Sequence, residues 1–161
     1  MPYAEQITPH FSLAEMASRD SADAGQDTPG DVYHNLTHLC QDVLEPLRAQ
    51  FGPLTITSGY RSVAHNEAVG GAPGSKHTFG MAADIAADDE MQIRIGAAAS
   101  KLPAVGGFGI YPGRGLVHVD TRPRKEDGSL TNWEEVDGSY RTLTAETRGR
   151  LVEAGAVDLE A

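Results

Sequence analysis

At residues 75–84 the chain reads SKHTFGMAAD, which places His77 seven residues before Asp84. The apolar residues from Ala82 to Ala86 predict a buried strand with Asp84 at its centre. A carboxylate in such surroundings is costly unless it is paired or bound to a cation. The stretch therefore predicts a buried strand that carries a functional acid, preceded by a loop that presents an imidazole.

A second motif, LVHVD, occupies residues 116–120. The turn residues PGRG at 112–115 predict that residues 108–111 and this motif form a β-hairpin. Side chains alternate between the two faces of a strand, so His118 and Asp120 are expected on the same face.

Two histidines and one carboxylate are a usual ligand set for a catalytic zinc, with a fourth position left for water. His77, Asp84 and His118 are therefore candidate metal ligands. Another pair, His34 and His38, has the helical i, i+4 spacing, but the residue that follows His34 is an asparagine where a helical zinc-protease motif has its glutamate. We interpret this second pair as part of a solvated helix face.

The remaining sequence predicts helices and strands by periodicity and by capping signals. Helices are expected at residues 10–16, 28–51, 62–69, 88–103 and 144–154, and strands at 54–58, 82–86, 108–111 and 116–121. Ser12 and Glu15 can cap the first helix, Thr28 is the expected cap of the second, and Pro46 is expected to kink it or begin a new turn. The helix after residue 88 is expected to place Met91, Ile95, Ala98 and Leu102 on one face.

Length and composition favour one α+β domain spanning residues 1–161, with a small, mainly antiparallel sheet and flanking helices. A chain of 161 residues with 40% apolar content is sufficient for one core. The formal charge of -10 argues against a nucleic-acid surface. Cys40 is the sole cysteine, so no internal disulfide can form.

No apolar run is long enough to cross a membrane, and residues 1–6 lack the basic segment and apolar run of a secretory signal. We expect a monomer that is synthesised in soluble form and that reaches an external substrate by phage delivery or by another export route.

The motifs resemble the zinc D-Ala-D-Ala carboxypeptidase and muramyl-peptide endopeptidase family, which shares its fold with the Hedgehog signalling domain. The family pattern Ser-x-His-x-x-Gly-x-Ala-x-Asp is matched at residues 75–84, and its second histidine strand is matched at 117–120. Residues 58–62, SGYRS, and Asn66 are similar to further family features. The resemblance runs from about Thr8 to Trp133, which leaves 134–161 as a C-terminal extension with a short helix.

The resemblance implies hydrolysis of amide bonds in peptidoglycan stem peptides or cross-links, of the D-Ala-D-Ala carboxypeptidase or endolysin type, and the small size favours a phage-borne enzyme. It implies one Zn²⁺ per chain, held by His77, Asp84 and His118. It makes Arg61 a catalytic or substrate contact to a carboxylate or carbonyl, for which a guanidinium group is well shaped. The other substrate-binding residues that it implies are Ser75, Tyr111 and Trp133.

One departure concerns the general base. Many family members carry an acid three residues before the second histidine, where this chain has Gly115. Asp120 is the candidate that shares a strand face with His118, either as the base or as an acid that orients a metal ligand. A third interpretation of Asp120 is a structural ion pair with Arg122 or Arg61.

Two other functions remain open at this point. The same ligand types form the facial triad of non-haem Fe(II) oxygenases, although that triad commonly places its histidine and acid two residues apart. Because Gly115 replaces the usual acid, the chain could also be a non-catalytic cell-wall-binding or structural module with the same fold.

Overall fold

A six-stranded sheet carries both sequence motifs. The computed structural model describes residues 2–160. Its strands are β1 (Gln6–Thr8), β2 (Phe11–Ser12), β3 (Ile56–Ser58), β4 (Ala82–Ala86), β5 (Gly107–Tyr111), β6 (Leu116–Asp120), β7 (Thr131–Val136) and β8 (Ser139–Arg141). The first two strands pair with each other, and the others form one sheet in the order β3-β4-β6-β5-β7-β8. Only β5 and β7 are parallel neighbours in this sheet, so the prediction of a mainly antiparallel sheet is confirmed.

Helices flank the sheet, and the chain is a single α+β domain, as predicted. The helices are α1 (Leu13–Met16), α2 (Gly30–Leu39), α3 (Glu45–Phe51), α4 (Val63–Ala68), α5 (Asp89–Ser100) and α6 (Ala145–Glu153). The helix predicted from residue 10 begins only at Leu13, because Phe11 and Ser12 pair with β1. The Ser12 hydroxyl accepts from the Glu15 N–H and the Glu15 carboxylate accepts from the Ser12 N–H, which confirms the predicted capping box. Within residues 2–160, none of these helices has the length and apolarity to cross a membrane.

The long helix predicted at residues 28–51 is divided by a π-helical turn. This turn, Cys40–Leu44, connects α2 to α3, and Pro46 lies in the first turn of α3. A wider turn accommodates the proline, which has no N–H to donate, so the helix continues in the next turn. The predicted cap at Thr28 is wrong: Pro29 occupies the N-cap position, and the buried Thr28 hydroxyl has no hydrogen-bond partner in the described chain.

The two faces of the sheet have different roles. On one face, apolar side chains of β4, β5 and β6 pack with the helices into one core, represented by the fully buried Ile85, Phe108 and Val117. Alternation along the same strands directs Asp84 and His118 to the opposite face. The helices therefore cover the apolar face of the sheet, and Asp84 and His118 lie on the opposite face, which lines a cleft.

The apolar face predicted for α5 packs against the core. Ile95 is buried, but Met91, Ala98 and Leu102 are only partly buried. Gln92 is fully buried in the described structure. Its Oε1 accepts from the backbone N–H of Tyr111 at 2.9 Å, and its Nε2 donates to the backbone carbonyl of Tyr111 at 3.2 Å. Burial of a polar side chain costs little when both of its amide groups are satisfied.

Two strands follow the hairpin at positions where the sequence pattern predicts none. In β7, Trp133 pairs in parallel with Gly109 of β5. The following β8 completes the edge of the sheet, and α6 then packs against α5 with Leu151 fully buried. The segment after residue 120 therefore contributes both to the sheet and to the core.

Candidate metal centre and cleft

His77 lies on a short 3-10 turn, Lys76–Phe79, that rests against α2. The Ser75 hydroxyl caps this turn by accepting from the His77 N–H, and Gly80 ends it with a φ of 73°. The His77 ring is buried, and its Nδ1 lies 2.7 Å from the carbonyl oxygen of Gly59. Because a carbonyl can only accept, Nδ1 carries a proton, and Nε2 is the nitrogen that would bind a cation after releasing any proton of its own.

Asp84 and His118 are direct partners across β4 and β6. One carboxylate oxygen of Asp84, Oδ1, lies 3.2 Å from His77 Nε2 and 3.1 Å from His118 Nδ1. The three ligand atoms lie within 4.8 Å of one another, and all three residues are buried. The structure therefore brings together the three residues that the sequence nominated as metal ligands.

The electrostatics of this group depend on close contacts between opposite charges. Burial alone would raise the pKa of Asp84, but hydrogen bonds from His118 and His77 hold that pKa below its usual value. Burial alone would lower the pKa of His118, but its hydrogen bonds to Asp120 and Asp84 raise it to about 9. Two carboxylates and two imidazoles in one buried site provide the negative charge and the nitrogen donors that a divalent cation requires.

Asp120 lies behind His118, away from the cleft. Its Oδ2 is 2.8 Å from His118 Nε2, and it also accepts from Arg122 Nη2 at 2.7 Å. The Asp120 carboxylate is fully buried, and Arg122 Nε donates to its other oxygen at 2.9 Å. The nitrogen of His118 that faces Asp120 is therefore protonated, and Nδ1, which lies toward Asp84, is the nitrogen that would release its proton to bind a cation.

Arg61 lies beside the ligand group with most of its donors engaged. Its Nε donates to Ser58 Oγ and its Nη1 to Asn66 Oδ1, both at 3.0 Å, while Nη2 lies 3.5 Å from Asp84 Oδ2. The last distance is at the long end of the hydrogen-bond range, so the contact is mainly ionic. Arg61 thus faces the oxygen of Asp84 that the histidines do not use.

A cleft of about 740 Å³ opens over the ligand group. The predicted substrate-binding residues Arg61, Ser75, Tyr111 and Trp133 all line it. The lining residues that sequence reasoning did not assign to the cleft include Lys76, Arg114 and Tyr140. Tyr140 had no usable signal, because β8 is short and fully exposed in its burial pattern.

The cleft differs in charge from the rest of the molecule. The formal charge of the chain is -10, yet the cleft is lined by Arg61, Lys76, Arg114 and Arg122. Among the described residues that line it, Asp84 is the only carboxylate. The three arginines are paired with Asp84, Glu135 and Asp120. Lys76 is therefore the lining cation without a carboxylate partner among the described residues, and it is the group that favours an anionic ligand.

Trp133 reaches the metal centre because β5 has no side chain at Gly109. A Cβ at Gly109 would lie 2.4 Å from the indole, which crosses β5 at this point. The Trp133 ring lies 5.1 Å from the His118 ring, measured between centroids, and Arg122 packs over the indole at 5.2 Å. Trp133 is thus part of the cleft wall next to a candidate ligand.

The second histidine pair does not join this group. His38 Nδ1 lies 2.6 Å from Asp42 on the same helix face, and both side chains are about half exposed, at 48% and 51%. In the part of the chain that the structure describes, no other group of three potential ligands converges. The interpretation of this pair as surface residues agrees with its exposure.

Comparison with protein families gives a match. A sequence model of the family described as Peptidase M15 matches residues 9–120, which is more than half of the chain and includes all three candidate ligands. The match ends at Asp120, so β7 and β8 lie outside it. A search of curated proteins found no match.

Proposed function

Because the chain belongs to the peptidase M15 family, we propose that it is a zinc-dependent peptidase that hydrolyses amide bonds in peptidoglycan stem peptides or cross-links. The observation that carries the proposal is the convergence of His77, Asp84 and His118 within 4.8 Å at the base of an open cleft. Families with this ligand set commonly hold zinc with one coordination position open.

The three side chains fit a zinc ion by their donor types and by their outer contacts. His77 would bind through Nε2, because its Nδ1 donates to the carbonyl of Gly59. His118 would bind through Nδ1, because its Nε2 donates to Asp120. A bound zinc would polarise the substrate carbonyl and lower the pKa of water in its open position toward ~7. Fixing each ring through its second nitrogen sets both the tautomer and the orientation of the ligand.

In this proposal Asp120 is a positioning residue that acts through His118. Its carboxylate accepts the proton of His118 Nε2 and is itself held by Arg122, and it does not line the cleft. A general base must come within hydrogen-bond reach of the proton that it removes. The geometry thus supports the orienting role of Asp120 over the role of base.

Arg61, Ser75, Tyr111 and Trp133 would bind the peptide in the cleft. Arg61 also restrains Asp84, so its contribution includes holding a ligand in place. The positive lining of the cleft supports an anionic peptide as substrate, which is the character of stem peptides with free carboxylates. We propose that a monomer acts on the cell wall, which it reaches by phage delivery or by another export route.

The test uses purified sacculi incubated with the zinc-loaded protein, followed by mass spectrometry of the released muropeptides. We expect released fragments with zinc and none after chelation, and the mass of the fragments would identify the bond that is cut. Metal analysis of protein purified without added metal provides a second criterion. Bound iron with oxygen-dependent turnover would overturn the peptidase proposal in favour of the oxygenase.

One observation favours a second candidate, a non-catalytic wall-binding module. The cleft has no carboxylate besides Asp84 among its described lining residues, so no side chain is in position to act as a carboxylate base. The same incubation separates the two functions. Protein that sediments with sacculi in the presence of zinc, without releasing fragments, would support the binding module.

A further inference from the structure

The hydrogen bond between Trp133 and Tyr111 has a fixed direction. Trp133 Nε1 lies 3.2 Å from Tyr111 Oη. An indole N–H can only donate, so the phenol oxygen accepts and the phenol O–H remains available to donate to another group. Within residues 2–160, no bond donated by this O–H meets normal hydrogen-bond geometry, and the neighbouring Tyr140, whose ring stands edge-on with 6.2 Å between centroids, is the protein group that competes with a ligand for it.

The indole is held in place on several sides, so this direction is maintained. Trp133 lies over the bare backbone of Gly109, with the His118 ring 5.1 Å away and Arg122 packed over it at 5.2 Å. Tyr111 is held as well, since Arg114 lies over its ring at 5.8 Å. Neither ring can turn away without losing these contacts.

The Tyr111 hydroxyl is suited to donate in this position. The residue is 8% exposed and lines the cleft. Burial, with a smaller contribution from the neighbouring Tyr140, raises the pKa of Tyr111 well above that of an ordinary tyrosine, so the phenol stays protonated at neutral pH. A buried donor without an acceptor is costly, which favours a ligand oxygen as its partner.

Its place in the sheet indicates which part of a ligand it would meet. Gly109 is level with His118 across the sheet, and Tyr111 lies two residues further along β5, on the same face. Two residues of a strand span about 7 Å. A peptide bond placed over the metal ligands would therefore lie about 7 Å from Tyr111. The oxygen that Tyr111 contacts would belong to a residue adjacent to that peptide bond.

We propose that the Tyr111 hydroxyl donates a hydrogen bond to a carbonyl or carboxylate oxygen of the bound peptide, and that Trp133 is the positioning residue that fixes the direction of this bond. The inference rests on the proposed function for the identity of the ligand as a peptide. It adds a donor that is oriented by a residue outside the region matched by the family model.

The test compares Tyr111→Phe, Trp133→Phe and the double variant with the wild-type protein, all loaded with zinc. The probe is a muropeptide mixture that has first been digested exhaustively with wild-type protein, so that no turnover disturbs the measurement. Isothermal titration calorimetry gives the affinity of each variant for this mixture. Zinc content and unfolding midpoints establish that each variant is folded and keeps its metal centre.

We expect Tyr111→Phe to weaken binding about tenfold, the usual range for losing one hydrogen bond to a charged or strongly polar group. Trp133→Phe should weaken binding when it is made in the wild-type protein. Its effect on affinity should be at least about threefold smaller when it is made in the Tyr111→Phe variant, because Trp133 acts through the Tyr111 hydroxyl. Tyr33→Phe is the matched control, since this tyrosine stacks on Tyr3 outside the cleft and should leave binding unchanged.

The outcomes separate this inference from the proposed function. Unchanged binding by Tyr111→Phe, or strictly additive effects of the two substitutions, would overturn the inference even if sacculi are cleaved. Weaker binding by Tyr111→Phe, with the expected coupling, would support it even if sacculi are not cleaved, in which case the peptidase proposal alone fails. If neither binding nor cleavage occurs with the wild-type protein, both are wrong.

Discussion

The two histidines of the candidate centre are held by different kinds of interaction. His77 lies on a short turn against α2, and its second nitrogen donates to the neutral backbone carbonyl of Gly59. His118 lies in the middle of a central strand, and its second nitrogen faces the buried carboxylate of Asp120, which Arg122 holds. The position of His77 therefore depends on backbone shape, and that of His118 depends on buried charge.

The difference predicts how each side of the centre fails. A ligand held by backbone contacts should be sensitive to substitutions that change the shape of the turn. A ligand held by a carboxylate should be sensitive to a change of charge even when shape is kept, because carboxylate–histidine contacts raise the basicity of the ligand.

The largest expected effect is the loss of zinc and activity, which should follow from replacing any one of the three candidate ligands. His77→Ala, Asp84→Ala or His118→Ala should each remove zinc and reduce activity to background, because a catalytic zinc site needs all three of the ligands that these residues provide. Metal analysis after dialysis, together with the sacculus assay, measures both effects. A variant that retained one zinc per chain would exclude that residue as a ligand.

The next effect should be confined to the His118 side. Asp120→Asn keeps the shape of the side chain but removes its charge, and we expect zinc affinity to fall about 10- to 100-fold. Competition with a chelator of known affinity measures this change. Asp127→Asn, at an exposed loop position where the carboxylate accepts hydrogen bonds from Ser129, is the control for loss of a carboxylate.

The same variant also tests the alternative role of Asp120. If zinc affinity stayed at the wild-type value while hydrolysis was lost, Asp120 would be the general base and the contrast between the two histidines would disappear.

A smaller effect should appear on the His77 side when the shape of its turn is changed. A Cβ at Gly80 would lie 2.8 Å from both Cγ1 and the carbonyl oxygen of Val32, at a φ of 73°. We expect Gly80→Ala to cost about 2–4 kcal/mol of unfolding free energy, from left-handed strain and from overpacking against α2. Denaturant unfolding measures this loss.

The matched control for this substitution is Gly74→Ala. Gly74 has a similar φ of 72°, but the space around it is open. Gly74→Ala should therefore lose only the contribution of left-handed backbone strain, about 1–2 kcal/mol of unfolding free energy. Equal losses at the two glycines would show that the contact with α2 does not hold the His77 turn.

The smallest effect is expected at the cap of the same turn. Ser75→Ala removes the hydroxyl that accepts from the His77 N–H at 3.3 Å, while the bond to Gly59 stays in place. We expect a loss of about 0.5–1 kcal/mol in unfolding free energy and a change in zinc affinity below about threefold. A loss of zinc comparable to that of Asp120→Asn would mean that Ser75 itself supports the ligand group.

The sequence was sufficient to predict elements whose pattern is local. The strand around Asp84, the hairpin that carries His118 and the extent of α5 follow from alternation, turn glycines and caps, and the structure has them close to the expected positions. The convergence of the three candidate ligands depends on these elements, and their spacing in the chain was enough to nominate them.

The strands after residue 120 could not be predicted, because their buried positions are polar. Glu134 and Glu135 are buried in β7, which no hydrophobic pattern would indicate. Glu135 is satisfied by Arg114 and by the Gly138 N–H, and Glu134 by the Thr144 N–H, which are partners supplied by the tertiary fold. Gln92 of α5 is buried for the same reason, because its side-chain amide finds partners that only the tertiary fold supplies.

The parallel pairing of β7 with β5 gives the molecule an optical property. Trp133 is the only tryptophan in the chain, and its ring lies 5.1 Å from that of His118. All indole fluorescence of this protein therefore originates beside the candidate metal centre. Binding of a quenching ion such as Co²⁺ by the three ligands would therefore be measurable as a decrease in the tryptophan fluorescence of the unlabelled protein.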